Sequence, residues 1–308
     1  DYDVEMEMQT MPLHALMPLS AFGDVNARLK VSGRGFDIMK PNTMLNATID
    51  VDHLRYGDTD YRNMVCNVNL HDGQFDASID SENENCDFTL QCGGELKADH
   101  YVVAMDCDVR DLNLHELRLS DVALGGSGTL KAFGDVNIAT MECDVIAEMQ
   151  SIKVQYDTIS LSSPSMTLAF ESSDSTINAR LDNEDLSVDF SSEVGVKRFL
   201  EQVEHSKEVA MNQWQKISLN IDTLQAALPP FAFQLGMGKN GLVQQYLKQN
   251  QIEMRQLKFD LYNDSTIYGN GIVQRLDAMG TKIDTITAKL VQTGRYLGYS
   301  FHMGNRPG

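Results

Sequence analysis

The sequence predicts a mostly β protein, a meander of antiparallel strands built from repeated hairpins, with one long and one short amphipathic helix. From residue 20 to about 190, apolar and polar residues alternate with a period of two, which is typical of strands with one apolar and one polar face. The alternating runs are short and separated by turn residues. Short motifs also recur along the chain, which indicates stacked copies of a hairpin unit.

The alternating runs define the predicted strands and their apolar faces. The apolar positions of the first group are Val25, Ala27, Leu29 and Val31; Leu45, Ala47, Ile49 and Val51; Phe75, Ala77 and Ile79; Ile152, Val154 and Tyr156; Met166, Leu168 and Phe170; Ile177, Ala179 and Leu181; and Leu186, Val188 and Phe190. We expect turns at His71-Asp72-Gly73, at Gly93-Gly94 and at Gly125–Gly128. Alternation predicts four more strands near the end of the chain, around Leu257–Leu261, 266–276, Ile286–Leu290 and Leu297–Met303.

All five cysteines fall on apolar faces of these predicted strands. The two clearest runs place Met64, Cys66, Val68 and Leu70 on one face, and Cys86, Phe88, Leu90 and Cys92 on another. The cysteines form no CxxC pair and have no histidine at metal-ligand spacing. We therefore interpret the thiols as small buried hydrophobic groups, and we expect no metal site.

Three kinds of motif recur. Ala21–Asn26 returns unchanged as Ala132–Asn137, and Met105–Val109 and Met141–Val145 share the pattern methionine, acid, cysteine, aspartate, valine. Glycine-rich segments also return, as in Gly33-Arg34-Gly35 and Gly126-Ser127-Gly128. None of the glycine segments opens a helix after a strand in a βαβ unit, so we interpret them as turns and not as phosphate loops.

The pattern changes to helical spacing after residue 192. We expect an amphipathic helix from about Glu193 to Gln215, capped by Ser191 or Ser192, with Trp214 seating it on the sheet.

Alternation then resumes at Ile217, Leu219 and Ile221, and Pro229-Pro230 interrupts the chain. A shorter helix is expected near 242–251. The predicted organisation is a β-repeat segment over 1–192, the long helix over 193–216, and a further β segment over 217–308 with the short helix inside it.

Composition and charge exclude several classes of function. A net charge of −19 over 308 residues argues against nucleic-acid binding and against flat docking on an anionic membrane. No stretch approaches the roughly 18 apolar residues that a transmembrane helix needs, and no signal peptide is recognisable. No Ser/His/Asp or Cys/His set can be assembled, so we expect no enzyme, no catalytic residue and no cofactor. We interpret the chain as an internal piece of a longer protein.

Several segments carry a resemblance to a known family. They are Gly33–Asp37, Leu45–Asp50, Leu54–Tyr56, Asp60–Asn63 and Leu70–Phe75, in which short apolar alternation is followed by tyrosine, asparagine and Asp-Gly turns. This style of repeat, which covers most of residues 20–190, resembles the AsmA-like/TamB proteins of the Bacteroidota cell envelope.

The resemblance implies an elongated antiparallel sheet, curled into an open, taco-like groove with an apolar inner face. It implies a parent protein in the periplasm of a Gram-negative bacterium, anchored in the inner membrane, that carries phospholipid acyl chains towards the outer membrane. An outer-membrane barrel protein of the BamA/TamA kind would be a possible partner. The residues expected to line the lipid groove are Met64, Cys66, Val68, Leu70, Phe75, Ile79, Phe88, Leu90, Met105, Val109, Met141, Val145, Met166, Leu168 and Phe170.

Two other functions stay open at this point. The chain could be a scaffold for outer-membrane protein assembly that offers sheet edges to nascent strands by β-augmentation. It could also be a closed β-sandwich or solenoid from a surface adhesin or glycan binder. An aromatic content of 7%, with a single tryptophan, weakens the glycan-binding alternative because such sites commonly use aromatic platforms.

Overall fold

The computed structural model describes residues 1–12, 22–40, 42–57 and 59–305 of the chain. This part of the protein is mostly β, with 18 strands in antiparallel pairing and three helices. The predicted fold class is confirmed.

The strands follow one another along the chain with short turns between most of them. Their bounds are β1 (Tyr2–Pro12), β2 (Phe22–Arg34), β3 (Met44–Tyr56), β4 (Thr59–His71), β5 (Gln74–Asn83), β6 (Cys86–Leu96), β7 (His100–Asn113), β8 (Leu124–Asn137), β9 (Glu142–Tyr156), β10 (Ile159–Ser172), β11 (Ile177–Asn183), β12 (Leu186–Ser192), β13 (Phe231–Met237), β14 (Ile252–Glu253), β15 (Gln256–Asn263), β16 (Ile267–Ala278), β17 (Thr281–Thr293) and β18 (Tyr296–Gly304). The helices are α1 (Val196–Gln215), α2 (Ile221–Ala227) and α3 (Leu242–Gln249).

The chain divides into two compact units. Unit 1 comprises Asp1–Asp135 and Ala147–Pro164, and unit 2 comprises Val136–Ile146 and Ser165–Gly308. In unit 1, strands β1 to β7 pair antiparallel in sequence order. In unit 2, the antiparallel pairing runs from β10 through β11, β12, β13, β15, β16 and β17 to β18, with the two-residue β14 alongside β16.

The turn predicted at His71-Asp72-Gly73 is confirmed. His71 pairs with Gln74, which leaves Asp72 and Gly73 as a two-residue loop between β4 and β5. Both loop residues have positive φ, 52° and 76°, as the tight turn of a β-hairpin requires.

The turns predicted at two glycine-rich segments are wrong. Gly93-Gly94 lies inside β6 and Gly125–Gly128 lies inside β8. A Cβ atom on Gly94 would lie 1.9 Å from the Val102 carbonyl oxygen, and one on Gly126 would lie 2.4 Å from the Lys153 carbonyl oxygen. These glycines therefore permit a close approach of the neighbouring strand, and their presence does not mark a chain reversal.

Two of the predicted repeats do not occupy equivalent structural positions. The copy that begins at Ala21, which itself lies outside the described residues, continues into the start of β2, whereas Ala132–Asn137 ends β8. Met141 precedes β9 in a turn, with a φ of 59°, and its side chain is exposed. Its predicted place on the apolar face of a strand is wrong, because the left-handed turn at Met141 takes it out of the alternating run that begins at Glu142.

The long helix is confirmed, but its start and its contacts differ from the prediction. Gly195 is the N-cap and makes no side-chain cap bond, because Ser191 and Ser192 are still part of β12. The Ser192 hydroxyl donates instead to the Pro230 carbonyl oxygen, at 2.6 Å. α1 therefore begins a few residues later than expected.

Trp214 does not seat α1 on the sheet, and its side chain is exposed. The contact between α1 and the sheet is made in the first turn of the helix. There the ring of Phe199 packs edge-on against the ring of Phe190 of β12, with 5.6 Å between the ring centroids. At the other end, the Gln213 amide bonds to both the N–H and the C=O of Asn220. These polar contacts orient the last turn of α1 so that Trp214 points outward.

The strand predicted at Ile217, Leu219 and Ile221 is replaced by a turn and α2. Ile217 has a φ of 50°, which a strand does not accept, and the Asn220 side chain caps α2 by accepting the Thr223 N–H at 3.3 Å. The hydrogen bond that caps α2 and the turn at Ile217 therefore prevail over the strand preference of the three alternating apolar residues. The short helix predicted near 242–251 is confirmed as α3, whereas strands β1 and β13 were not predicted.

We expect Gly94→Ala to lower the stability of the fold by about 2–3 kcal/mol, because its new methyl group would overlap the Val102 carbonyl oxygen. Gly298→Ala is the matched control, since a Cβ atom there would meet its nearest neighbour, the Val291 carbonyl oxygen, at an ordinary 3.4 Å. Urea unfolding followed by circular dichroism measures both variants. Equal midpoints for the two variants would contradict the close-approach role of Gly94.

Candidate functional site

The strand register gives unit 1 one continuous apolar face. Alternate residues of β1 to β7 face each other directly across the strands and form four rows. Read from β1 to β7, the rows are Met6, Leu29, Ile49, Cys66, Ile79, Leu90 and Cys107; Val4, Val31, Ala47, Val68, Ala77, Cys92 and Met105; Tyr2, Gly33, Leu45, Leu70, Phe75, Gly94 and Val103; and Met8, Ala27, Val51, Met64, Ser81, Phe88 and Val109. We call these residues the apolar face of unit 1.

Ten of the fifteen residues predicted to line a groove lie on this face. They are Met64, Cys66, Val68, Leu70, Phe75, Ile79, Phe88, Leu90, Met105 and Val109. The contribution of β1 was missed, although the alternation of Tyr2, Val4, Met6 and Met8 with Asp and Glu would have identified it. The structure thus brings most of the predicted set together in one unit.

The other five predicted residues belong to unit 2. Leu168 and Phe170 of β10 lie opposite Leu181 and Ala179 of β11, and Met166 lies on the same side of β10 as both. Val145 is a partly exposed residue of β9, and Met141 lies in the turn before that strand.

Most side chains of the apolar face of unit 1 are partly exposed. Ala27 and Leu70 are its buried hydrophobic members, while Val68, Ile79 and Leu90 keep part of their surface in solvent. Within the described residues, unit 1 contains strands and turns but no helix that could pack over this face. Because an apolar sheet face is stable in water only when another layer or a guest covers it, this face is a candidate binding surface.

The cysteines of unit 1 are partly exposed packing groups, and three of them have raised pKa values. Burial raises the pKa of Cys66 and of Cys107, with smaller contributions from neighbouring groups, and it also raises the pKa of Cys86 at the end of β6. The five cysteines all lie in the described part of the chain, and no disulfide joins any of them. In the part of the chain that the structure describes, no three His, Cys, Asp or Glu side chains are placed to hold a metal ion.

The opposite face of the same strands is polar and carries two hollows, of about 740 Å³ and about 680 Å³. The first lies over a cross-strand row formed by Thr48, Asn67, Ser78, Gln91 and Asp106. The Thr48 hydroxyl donates a hydrogen bond to Asn67 Oδ1 at 3.0 Å, and Lys131 Nζ forms an ion pair with Asp106 Oδ2 at 3.4 Å. The second hollow has a mainly polar lining, whereas the lining of the first is more apolar than polar and includes Val68 and other members of its apolar row.

Unit 2 also has an apolar face, but helices contact it. Its two longest rows run from β10 to β18 and are Leu168, Leu181, Val188, Leu235, Phe259, Gly271, Ala288 and Phe301; and Phe170, Ala179, Phe190, Phe233, Leu261, Gly269, Leu290 and Tyr299. Phe199 of α1 packs on Phe190 within the second row.

Hydrogen bonds hold α2 against the ends of β16 and β17. The buried Gln292 amide donates to Asp222 at 2.9 Å and accepts the Ile267 N–H at 3.0 Å. Unit 2 is therefore partly covered by its own chain, in contrast to the described part of unit 1.

Two further observations bear on function. Among the described residues, none of the helices has both the length and the apolar character needed to span a bilayer. The chain matches no protein-family model, no curated protein and no solved structure at a significant level.

We expect the Cys66 thiol to react several-fold more slowly with a maleimide at pH 8 than a thiol moved one residue along β4, onto the polar face. Burial raises the pKa of Cys66, so less of the reactive thiolate is present, and the rate should climb as the pH rises towards that pKa. Mass-spectrometric mapping of labelled peptides compares the wild-type chain with the Cys66→Ala/Asn67→Cys variant. Equal rates at positions 66 and 67 would contradict the assignment of Cys66 to the less accessible face.

Proposed function

We propose that the chain belongs to a periplasm-spanning, AsmA/TamB-like protein whose apolar face carries phospholipid acyl chains between the inner and outer membranes. The observation that carries this proposal is the set of four apolar rows that cross seven strands of unit 1 while their side chains stay partly exposed. The repeat style of residues 20–190 supports the family assignment.

The dimensions of the rows suit an alkyl chain. Seven strands spaced by about 4.8 Å give a row of roughly 29 Å. One leaflet of a bilayer has a hydrocarbon thickness of about 15 Å, half of the roughly 30 Å core, so a row is about twice as long as one lipid tail. A tail lying across the strands would contact apolar side chains along its whole length.

The energy of such contact is sufficient for binding but not for permanent capture. Complete removal of a methylene from water is worth about 0.8 kcal/mol, so a tail that rests on an open sheet gains roughly half of that, about 0.4 kcal/mol per methylene. About twelve methylenes then give about 5 kcal/mol, which corresponds to a dissociation constant below 1 mM. A bound tail can therefore exchange between sites.

Similar residues at successive strands favour movement along the sheet. The row that contains Ala47, Val68 and Ala77 offers small apolar side chains at each step, and no charged residue interrupts it from β1 to β7. The free energy of a tail then changes little from one strand to the next. Such a surface allows sliding without a large barrier.

The acidic, polar side of the sheet serves solubility in this proposal. Asp50, Asp80 and Asp108 lie on that side, and Arg110 bonds to Asp87 at 2.7 Å. A lipid tail would meet charged and hydrated groups there, so binding should be confined to one side of each strand.

A photoreactive residue at Val68 should form adducts with phospholipid, and the same residue at Asn67 should form far fewer. The two positions are adjacent in β4 and differ in the face they occupy, with Val68 opposite Ala77 and Asn67 opposite Ser78. Mass spectrometry of the irradiated chain, produced in a Gram-negative host, measures the adducts. Leu90 and Thr89 provide a second matched pair, on β6.

Equal lipid labelling at the apolar and polar positions of each pair would contradict the proposal. Capture of unfolded outer-membrane protein segments, in place of lipid, would support the assembly-scaffold alternative. Neither kind of adduct at any of the four positions would leave the apolar face without a guest and would also count against lipid transport.

A further inference from the structure

The long helix α1 carries a second, exposed apolar surface that borders the side on which it is packed. Leu200, Val203, Met211 and Trp214 are spaced at helical intervals, and the turn after the helix adds Ile217 and Leu219. Trp214 is 83% exposed, Ile217 is 96% exposed and Leu219 is 70% exposed. We call these six residues the α1 stripe.

The side of α1 next to the α1 stripe already has its partners. Phe199 packs on Phe190, Ser206 is buried, and the Gln213 amide holds the backbone of Asn220. The helix is therefore fixed to unit 2 by one side, and its fold does not require the α1 stripe. An apolar surface that the fold leaves in solvent indicates an interaction site.

The charges around the end of the α1 stripe are unlike those of the rest of the chain. Residues 209–221 contain no acid, and Lys216 is their one charged residue, in a chain with 44 Asp and Glu and a net charge of −19. This segment therefore avoids the repulsion from phosphate groups that the remaining surface would produce. Lys216 adds an attraction for them.

The exposure of the α1 stripe favours a fluid partner over a rigid one. Side chains as exposed as Trp214 and Ile217 stand out from the surface, so a folded protein would need a separate pocket for each of them. A bilayer interface accepts such side chains without a preformed pocket. Tryptophan is enriched at that interface, where its ring lies among the headgroups.

We propose that α1 and the turn after it dock on the surface of a phospholipid bilayer, with Trp214, Ile217 and Leu219 entering the boundary between headgroups and acyl chains. The occupant is a zwitterionic lipid surface, because the large negative charge of the whole chain opposes an anionic one. This site lies in unit 2 and does not depend on lipid binding by the apolar face of unit 1.

The chain contains its own reporter for the test, since Trp214 is its one tryptophan. Vesicles of phosphatidylcholine should shift Trp214 emission to shorter wavelength and protect it from iodide. Vesicles with brominated acyl chains should quench it. These changes require entry of the indole into lipid, which adsorption elsewhere on the protein would not produce.

The double variant Ile217→Ser/Leu219→Ser keeps the reporter and should require at least about tenfold more lipid for half of the shift, because two fully buried aliphatic side chains contribute more than about 1.4 kcal/mol. Met279→Ser is the matched control, since Met279 is 80% exposed in a turn of unit 2 outside the α1 stripe. It should leave the lipid dependence unchanged. Circular dichroism verifies that both variants keep the fold.

Unshifted Trp214 emission at saturating vesicle concentrations would overturn the proposal. A shift that grows with protein concentration in the absence of lipid would overturn it as well, because it would identify a second copy of the chain as the occupant. An equal loss of lipid response in the Met279 variant would also contradict the α1 stripe as the site. Since photo-crosslinking at Val68 reads a different unit, either proposal can fail while the other stands.

Discussion

The antiparallel register of β1 to β7 is the constraint on which the two faces of unit 1 depend. Because side chains alternate along a strand, a slip of one residue in any pairing would move that strand's apolar set to the polar side. The observed pairs keep Ile49, Cys66, Ile79 and Leu90 side by side across four strands. Each hairpin therefore has to be in register with the last one for the apolar rows to be continuous.

Local features hold this register. The two-residue turn at Asp72-Gly73 fixes the pairing of β4 with β5, because both residues must have positive φ. Within the strands, Gly94 and Gly126 let neighbouring backbones approach closely. Charges on the polar side add to the specificity, as where Arg28 pairs with Asp50 at 2.7 Å across β2 and β3.

Periodicity made the sheet and most of its apolar face predictable from the sequence. Alternation around Cys66 and Leu90 correctly assigned these residues to one side of their strands, since a period of two depends only on the local chain. The predictions were wrong at positions where one residue type is compatible with two local structures. Gly94 could mark a turn or a close strand contact, and Ile217 could begin a strand or end a helix. In each case tertiary contacts or capping decided the outcome.

The outward position of Trp214 was not predictable from the helical pattern. An apolar stripe on a helix normally indicates the buried side, and here the polar contacts of Gln213 and the ring of Phe199 fix the neighbouring side instead. α1 is thus amphipathic with its more apolar stripe facing solvent. This arrangement resembles that of helices that meet a partner, and it gives unit 2 a surface unlike the sheet of unit 1.

Native mass spectrometry of the chain, purified without detergent, shows whether the apolar face of unit 1 holds lipid. We expect phospholipid to remain bound to the wild-type chain and to Thr89→Asp, and to be lost from Leu90→Asp, which places a charge among the apolar rows. Thr89 and Leu90 are neighbours in β6, so the two variants differ only in the face that receives the charge. A wild-type chain free of lipid, or equal retention by both variants, would contradict a lipid-carrying apolar face.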